Sequence, residues 1–336
     1  MKVRTTSPSR RSFFRLAASA AVVLTAIGGA QTAMAQAQSW PAKPVRVVVN
    51  FPPGGAADVM ARLISQPVSE ALGQPVVIEN RAGANGNIGG EAVAKADPDG
   101  YTFLFSSGGV ASVNPHLYKT MSFDPAKDLQ PVAAAARVLV FLVTRPDVPV
   151  KSAKEFIDYA KKNPGKLSYG SPGNGSSPHL AAEMFNGAAD IKTLHVPYRG
   201  AAPAMVDLLA GQVDYMFDPG IGLGHVRDGK LRLLAVGSPE RSALFPDTPT
   251  VAEVGLKGFD ADSWFGFYAP AGVDKAIVDR MNQEVNKALA LPTVRNRIAE
   301  LGGVASPMSP AEFADKAKAD FERFGSVIRE RGISVQ

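Results

Sequence analysis

The chain has no cysteine among its 336 residues, which excludes disulfides, thiolate metal ligands and a cysteine nucleophile. Long apolar runs are missing as well. The longest, Leu16 to Ala30, is interrupted by Thr25 and Gly28-Gly29, and its fifteen residues fall short of the roughly 20 that span a bilayer. No stretch of lysine or arginine is interleaved with aromatics, so nothing marks a nucleic-acid surface. Internal repeats, low-complexity segments, a G-x-S-x-G elbow and haem or iron–sulfur spacings are also absent. Gly83-x-x-Gly86-x-x-Gly89 lacks the dinucleotide spacing, and Gly224 to Lys230 imitates a phosphate loop but ends in Leu231 where Ser or Thr is required. No cofactor is expected.

The first 35 residues read as an export signal. Ser9-Arg10-Arg11-Ser12-Phe13-Phe14-Arg15 is a twin-arginine pattern, followed by the apolar stretch and by Ala33-Met34-Ala35, after which cleavage is expected. The segment carries Lys2, Arg4, Arg10, Arg11 and Arg15 and no acid, so its removal leaves 301 residues with 31 basic and 31 acidic side chains. The formal charge of +5 therefore resides in the leader and is no argument for nucleic acid. A soluble periplasmic protein is the expectation.

Five times an apolar, strand-like run breaks into a loop of small residues and restarts as an amphipathic helix. The breaks are Phe51 to Asp58, Arg81 to Asn87, Ser106 to Gly109, Ser171 to Ser177 and Tyr198 to Ala202. Each brings unpaired backbone N–H groups and a helix N-terminus to a strand end, where small side chains let an anion approach. Strands are expected at 45–49, 76–79, 102–105, 139–143, 166–170, 193–196, 213–217 and 231–236, mostly alternating with helices. That alternation argues for an α/β fold with a largely parallel sheet. Val138 to Pro146 and Ser263 to Ala269 look like crossings between two lobes. The expected organisation is a first domain of 40–142 plus 262–336, discontinuous and ending in helices near 274–289, 292–301 and 309–331, with a second domain of 143–261 inserted in it. The last helix opens on Ser309-Pro310-Ala311-Glu312, a capping box.

Several residues have a structural reading beside the functional one. Asp58 suits a helix cap better than a ligand contact, because a carboxylate aimed into an anion pocket would repel it. Ser106, Ser107 and Ser176 could serve as caps alone. Asp218 could accept from a ligand hydroxyl or ammonium, or fix Arg199. Trp264 reads as core or hinge packing. His179 and Glu183 share a helical face but lack a third metal ligand. Ser176, His195 and Asp218 could form a triad only if the fold brought them together.

The order of motifs is Pro44-Val-Arg-Val-Val-Val-Asn-Phe-Pro-Pro-Gly-Gly-Ala-Ala-Asp58, Glu79-Asn-Arg-Ala-Gly-Ala-Asn-Gly-Asn-Ile-Gly89, Asp97-Pro-Asp-Gly-Tyr101, Tyr169-Gly-Ser171, Ser177-Pro-His-Leu180, His195-Val-Pro-Tyr-Arg-Gly200, Asp214-Tyr-Met-Phe-Asp218 and Gly229-Lys-Leu-Arg-Leu-Leu-Ala235. Over nearly the whole mature chain this resembles the Bug family, the extracytoplasmic solute receptors of tripartite tricarboxylate transporters. The resemblance implies a non-enzymatic, two-lobed periplasmic binding protein of type II-like fold that closes on a small organic acid. It also implies delivery to a membrane permease with one large and one small integral subunit. A receptor for a two-component sensor kinase, or a periplasmic hydrolase or lyase acting on a carboxylate, are the alternatives; a monomer is expected. The family mostly uses the general secretory route, so the twin-arginine pattern departs from it.

Carried over residue by residue, the first lobe would contribute Phe51, Gly54, Gly55, Ala56, Ala82, Ala84, Asn85, Gly86, Ser106 and Ser107. The second would contribute Ser171, Gly175, Ser176, Tyr198, Arg199, Gly200 and Asp218. N–H groups of Gly55, Ala56 and Ala84 would meet one carboxylate, and Phe51 would cover the carbon skeleton. Binding by neutral amides is expected to vary weakly between about pH 6 and 8, where only histidine ordinarily titrates.

Overall fold

The computed structural model describes Met1 and residues 40–335. The export signal and its cleavage site lie outside the described residues, Met1 apart. Residues from Lys43 onward form one compact unit, distinct from Met1–Ala42, and it is this unit that carries the fold.

Strands β1 (Val45–Val49), β2 (Val76–Asn80), β3 (Thr102–Ser107), β4 (Leu129–Val138), β10 (Ser263–Pro270) and β11 (Gly303–Ala305) form one sheet in the order β11-β4-β10-β3-β1-β2. Strands β5 (Phe141–Thr144), β6 (Ser168–Ser171), β7 (Leu194–Pro197), β8 (Tyr215–Asp218) and β9 (Arg232–Val236) form the other, ordered β7-β6-β8-β5-β9. Val47, Val48 and Val49 of β1 and Phe103, Leu104 and Phe105 of β3 are fully buried, as continuous apolar runs are when helices cover both faces of a sheet.

The sheets are mixed, which corrects the expectation of a largely parallel one. In each, a parallel trio (β2-β1-β3 and β7-β6-β8) is followed by an antiparallel strand, β10 or β5. That strand enters from the other sheet, so its direction is set by the crossing and not by a βα connection. Both sheets thus repeat one order, and in both the loops of interest leave the carboxyl ends of the parallel strands.

The chain passes from the first sheet to the second between Val138 and Phe141 and returns just before Ser263. Gly237 ties the crossings together: its N–H donates to Val140 O at 2.7 Å and its carbonyl accepts from Ala261 N at 2.9 Å. Arg323, on the C-terminal helix, donates to the carbonyls of Asp260 and Asp262 at 2.7 and 2.8 Å.

Helix α1 (Ala56–Leu72) follows β1, and α2 (Asn87–Ala94) follows β2. Two short helices, α3 (Gly109–Ser112) and α4 (Asn114–Leu117), follow β3, and α5 (Pro125–Asp128) precedes β4. In the second lobe lie α6 (Ala153–Lys162), α7 (Ser177–Ala189), α8 (Ala201–Leu209) and α9 (Leu223–Arg227). The tail folds as α10 (Lys275–Ala290), α11 (Pro292–Glu300) and α12 (Pro310–Arg331), the last with the Ser309–Glu312 capping box formed in both directions.

An apolar cluster joins the lobes. Leu180 of α7 is buried among Val113, Leu117, Phe324 and Ile328, all from the first lobe. Beside it, Arg331 Nε meets Glu183 of α7 at 3.2 Å. Removing the Leu180 side chain leaves a cavity at this joint, so Leu180→Ala should cost about 2–5 kcal/mol of unfolding free energy in urea titrations. A loss under about 1 kcal/mol would show that the joint does not form.

Candidate functional site

Asn50, the residue after β1, organises the first lobe's loops. Its buried side-chain amide donates to Gly86 O at 3.2 Å and Ser106 Oγ at 2.9 Å, so the loops after β1 and β2 and the end of β3 meet on one group. A second asparagine, Asn80, donates to Phe51 O at 3.1 Å and to Asp58 Oδ1 at 2.9 Å. Asp58 is not the cap expected from its position: Gly55 holds that place without a side-chain hydrogen bond, and Asp58, within the first turn of α1, ties the preceding loop instead. Its carboxylate accepts from Gly54 N at 2.9 Å and from Arg62 Nε at 3.0 Å. Burial pushes its pKa up, but the hydrogen bonds of Arg62, Gly54 and Asn80 and the Arg62 charge outweigh this and hold it below the usual carboxylate value. The Gly54 N–H is thereby engaged within the loop. Gly55, at the N-cap, offers no side chain, so no capping group covers the first-turn amides at Ala56 and Ala57.

The loop after β2 is held in an unusual conformation. Gly83, Ala84, Asn85 and Gly86 all have positive φ, of 130°, 47°, 52° and 90°. For alanine this left-handed geometry costs roughly 1–2 kcal/mol, and it persists because neighbours enforce it. The enforcing residue is Asn114 of α4, fully buried, which accepts from Asn85 Nδ2 at 2.7 Å and donates to Asn85 O at 3.0 Å and Asn87 Oδ1 at 2.6 Å. Ala82, Gly83 and Ala84 are exposed, whereas Gly86 is buried where a β-carbon would overlap the Asn50 amide. Ser106 is buried and donates to Ser107 O, while Ser107 is half-buried. Phe51 is half-buried, edge-on to Phe265 at 6.0 Å, and Phe265 stacks on Phe105 at 5.8 Å.

In the second lobe Ser171 is fully buried; its hydroxyl lies 2.7 Å from His195 Nε2 and accepts from Gly173 N at 3.2 Å. Ser176 is the N-cap of α7, accepting from His179 N, and donates to Gly173 O at 2.7 Å. Gly175 N donates to His179 Nδ1 at 2.9 Å. The half-buried Tyr198 donates its hydroxyl to Asp207 at 2.7 Å; burial first, then Asp207, pushes its pKa up to about 12. Arg199 is exposed, and Gly200 caps α8 without a side chain.

Asp218 does not hold Arg199. It is fully buried at the end of β8, where Oδ2 accepts from Gly222 N at 2.9 Å and Gly220 N at 3.1 Å. Oδ1 is buried without a hydrogen-bond partner among the described residues. Burial pushes the pKa up to about 7, against the pull of the amides of Gly222, Gly220 and Ile221. The triad of Ser176, His195 and Asp218 is not assembled: His195 bonds to Ser171, and Asp218 to main-chain amides. Glu183 is occupied by the Tyr169 hydroxyl at 2.6 Å and by Arg331, and no cluster of three or more metal-binding groups exists among the described residues.

The two sets of loops face each other. A β-carbon on Gly175 would overlap a Leu117 methyl and lie 3.4 Å from Asn85 Nδ2, both in the first lobe. Similarly, a β-carbon on Gly220 would lie 3.0 Å from the Leu301 carbonyl carbon. The arginines near the first lobe's loops are paired, Arg62 with Asp58 at 2.9 Å and Arg81 with Glu79 at 2.6 Å. A surface cavity of about 370 Å³ lies at the opposite end of the strands, lined by Lys43, Arg46, Lys95, Asp97 and Asp99. Its cations are each paired, Lys43 with Asp99, Arg46 with Glu79 and Lys95 with Glu91, and the candidate site is the one at the strand carboxyl ends, where the glycine loops lie.

Asn50, Asn80 and Asn114 organise this site, yet sequence reasoning passes over them. Asparagine is common in loops, and only the tertiary contacts separate these three from the rest. The premise that histidine alone titrates near neutrality is also corrected. Burial holds His179 and His195 down at about 4, with His179 adding to the effect on His195 and Glu183 opposing it. Burial lifts Asp218 and Asp262 to about 7 and Asp320 to about 6.

The sequence model of the tripartite tricarboxylate transporter family receptor, TctC, matches residues 60–333. The chain belongs to that family. Protein BugT of Bordetella pertussis strain Tohama I is 38% identical over 303 residues, 89% of this chain and 93% of its own. Among solved structures, R. palustris Rpa4515 with adipate has a TM-score of 0.82 at 36% identity, covering 88% of this chain and 100% of that one. MatC from Rhodopseudomonas palustris with bound malate has a TM-score of 0.77 at 33% identity, covering 86% and 100%. The two sheets are accordingly the lobes of a periplasmic-binding-protein fold, and TctC receptors are solute-binding proteins, not enzymes.

A His179 side chain that ionises at about 4 when folded and near 6.5 when unfolded binds fewer protons in the folded state between those values. Its contribution is present above about pH 6.5 and is lost as pH falls toward 4. The stability of the wild type relative to His179→Asn should therefore decline from pH 7 to pH 4.5 in urea titrations; a constant difference would mean that His179 titrates normally.

Proposed function

We propose that this TctC receptor captures a small organic carboxylate between its lobes, chiefly with main-chain N–H groups, and as a monomer delivers it to a tripartite tricarboxylate-type permease. The observation that carries the reading is the glycine-capped N-terminus of α1 beside the positive-φ turn 83–86, exposed at Gly83 and Ala84, with the second lobe's Gly175 turn opposite. Relatives solved with adipate and malate support an acid as the ligand. A helix terminus contributes roughly 0.3–1 kcal/mol and a hydrogen bond to a charged group about 1.5–3 kcal/mol. Four or five such contacts offset the lost freedom of the ligand and still reach the ~8 kcal/mol of micromolar affinity.

Calorimetric titration with adipate and malate tests this. Gly55→Pro removes one donor and should weaken binding by about 10-fold or more. Gly55→Ala keeps the N–H, and its β-carbon would come no nearer than 3.5 Å to Pro52 O, so it should bind as the wild type does. Equal affinity of the two variants would turn this loop away from the ligand.

The same titrations read the influence of Asp218. An ionised Asp218 opposes an incoming anion, and a protonated one does not, so affinity should weaken several-fold as pH rises from 6 to 8 through its pKa of about 7. Asp218→Asn keeps an acceptor for Gly220 and Gly222 and should abolish that trend. A trend that survives in the variant would assign it elsewhere.

A further inference from the structure

His179 and His195 stand directly behind the second lobe's turn and have no role in the scheme above. Their rings stack at 4.0 Å between centroids with an interplanar angle of 8°, and Tyr169 stacks on His195 at 4.8 Å. Each ring bonds to the turn: Gly175 N donates to His179 Nδ1, and His195 Nε2 lies against the Ser171 hydroxyl. A backbone N–H can only donate, so His179 Nδ1 must be unprotonated, and the neutral ring carries its hydrogen on Nε2. Protonation would set two donors against each other at 2.9 Å. His195 is under less constraint, since a serine hydroxyl can donate or accept.

We propose that His179 and His195 are positioning residues for ligand capture: stacked and neutral, they hold the 171–176 turn in the shape that meets the first lobe. The proposal rests on the reading that this turn closes over the ligand. The groups facing the pair are Tyr169 from β6, which contacts both rings and is itself packed on Tyr215 of β8, and Glu183 one turn along α7, shared with Arg331 of α12. Glu183, the acceptor among them, is engaged by the Tyr169 hydroxyl and by Arg331, so it does not replace the lost Nδ1 acceptor. Both rings remain neutral at physiological pH because burial opposes their ionisation and each charge would oppose the other. Acid should therefore loosen the turn progressively below about pH 6.5, where an opened His179 takes up a proton.

Two substitutions separate positioning from simple packing. His179→Asn places Oδ1 near the present Nδ1, so it keeps an acceptor that cannot ionise, whereas His179→Leu fills space without an acceptor. With adipate or malate at pH 7.5, His179→Leu should raise Kd at least 10-fold and His179→Asn by no more than threefold. Amide exchange read by NMR supplies the second arm: from pH 7 to pH 5 the protection factor of Gly175 should fall at least 10-fold in the wild type and stay level in His179→Asn. Equal Kd values for the two variants, or a protection factor that is level in the wild type too, would overturn the proposal. If His179→Leu fails to fold, the comparison of wild type with His179→Asn decides alone. Should neither acid bind the wild type while Gly175 protection behaves as stated, the positioning role stands and the choice of ligand is wrong.

Discussion

Main-chain polar groups at the carboxyl ends of parallel strands must be paired or solvated, and this constraint organises the molecule. Three asparagine side chains and one aspartate occupy a defined subset of them in the first lobe. Asn50 takes Gly86 O, Asn80 takes Phe51 O, Asn114 takes Asn85 O, and Asp58 takes Gly54 N. These partners are mostly carbonyls. By consuming acceptors and leaving the α1 first-turn amides without a cap, the loops present an excess of donors where the second lobe approaches. The positive φ at Ala84 and Asn85 is the conformational cost of aiming that segment.

The lobes are held by more than their crossings. Leu180 lies among first-lobe side chains, Arg331 reaches Glu183, and Glu183 in turn receives the Tyr169 hydroxyl that stands beside the stacked histidines. The C-terminal helix therefore touches the second lobe at one end and, through Arg323, the returning crossing nearer its middle. A rotation of one lobe against the other would have to move against all of these contacts together, so the arrangement is coupled through packing and not through the linkers alone.

The parts of this architecture that sequence reveals are those set by local chemistry. Valine runs covered on both faces, glycine loops before helices and the Ser309–Glu312 capping box are each written in adjacent residues. Strand β4 is not: Ala133 to Ala136 have little strand preference, and pairing with β10 and β11 imposes the extended form. The antiparallel direction of β5 and β10 is likewise a product of the crossings. At the site, the glycine turns could be identified, but not that Gly175 would face Asn85, nor that His179 and His195 would stack from different elements. Titration behaviour was least legible, because burial moves both histidines and three aspartates, and burial belongs to the fold.

The pairing of Arg62 with Asp58 and of Arg81 with Glu79 has a kinetic corollary. With these cations neutralised at short range, the first lobe's rim projects little positive potential into solvent, since a dipole field fades faster with distance than that of a net charge, whereas the exposed Arg199 of the second lobe has no ion-pair partner among the described residues. An approaching anion would meet long-range attraction from the second lobe's side, and from the first lobe only after it had diffused into the cleft. Steering in such a receptor would rest on one exposed side chain, which added electrolyte screens, while discrimination is left to contacts made after arrival.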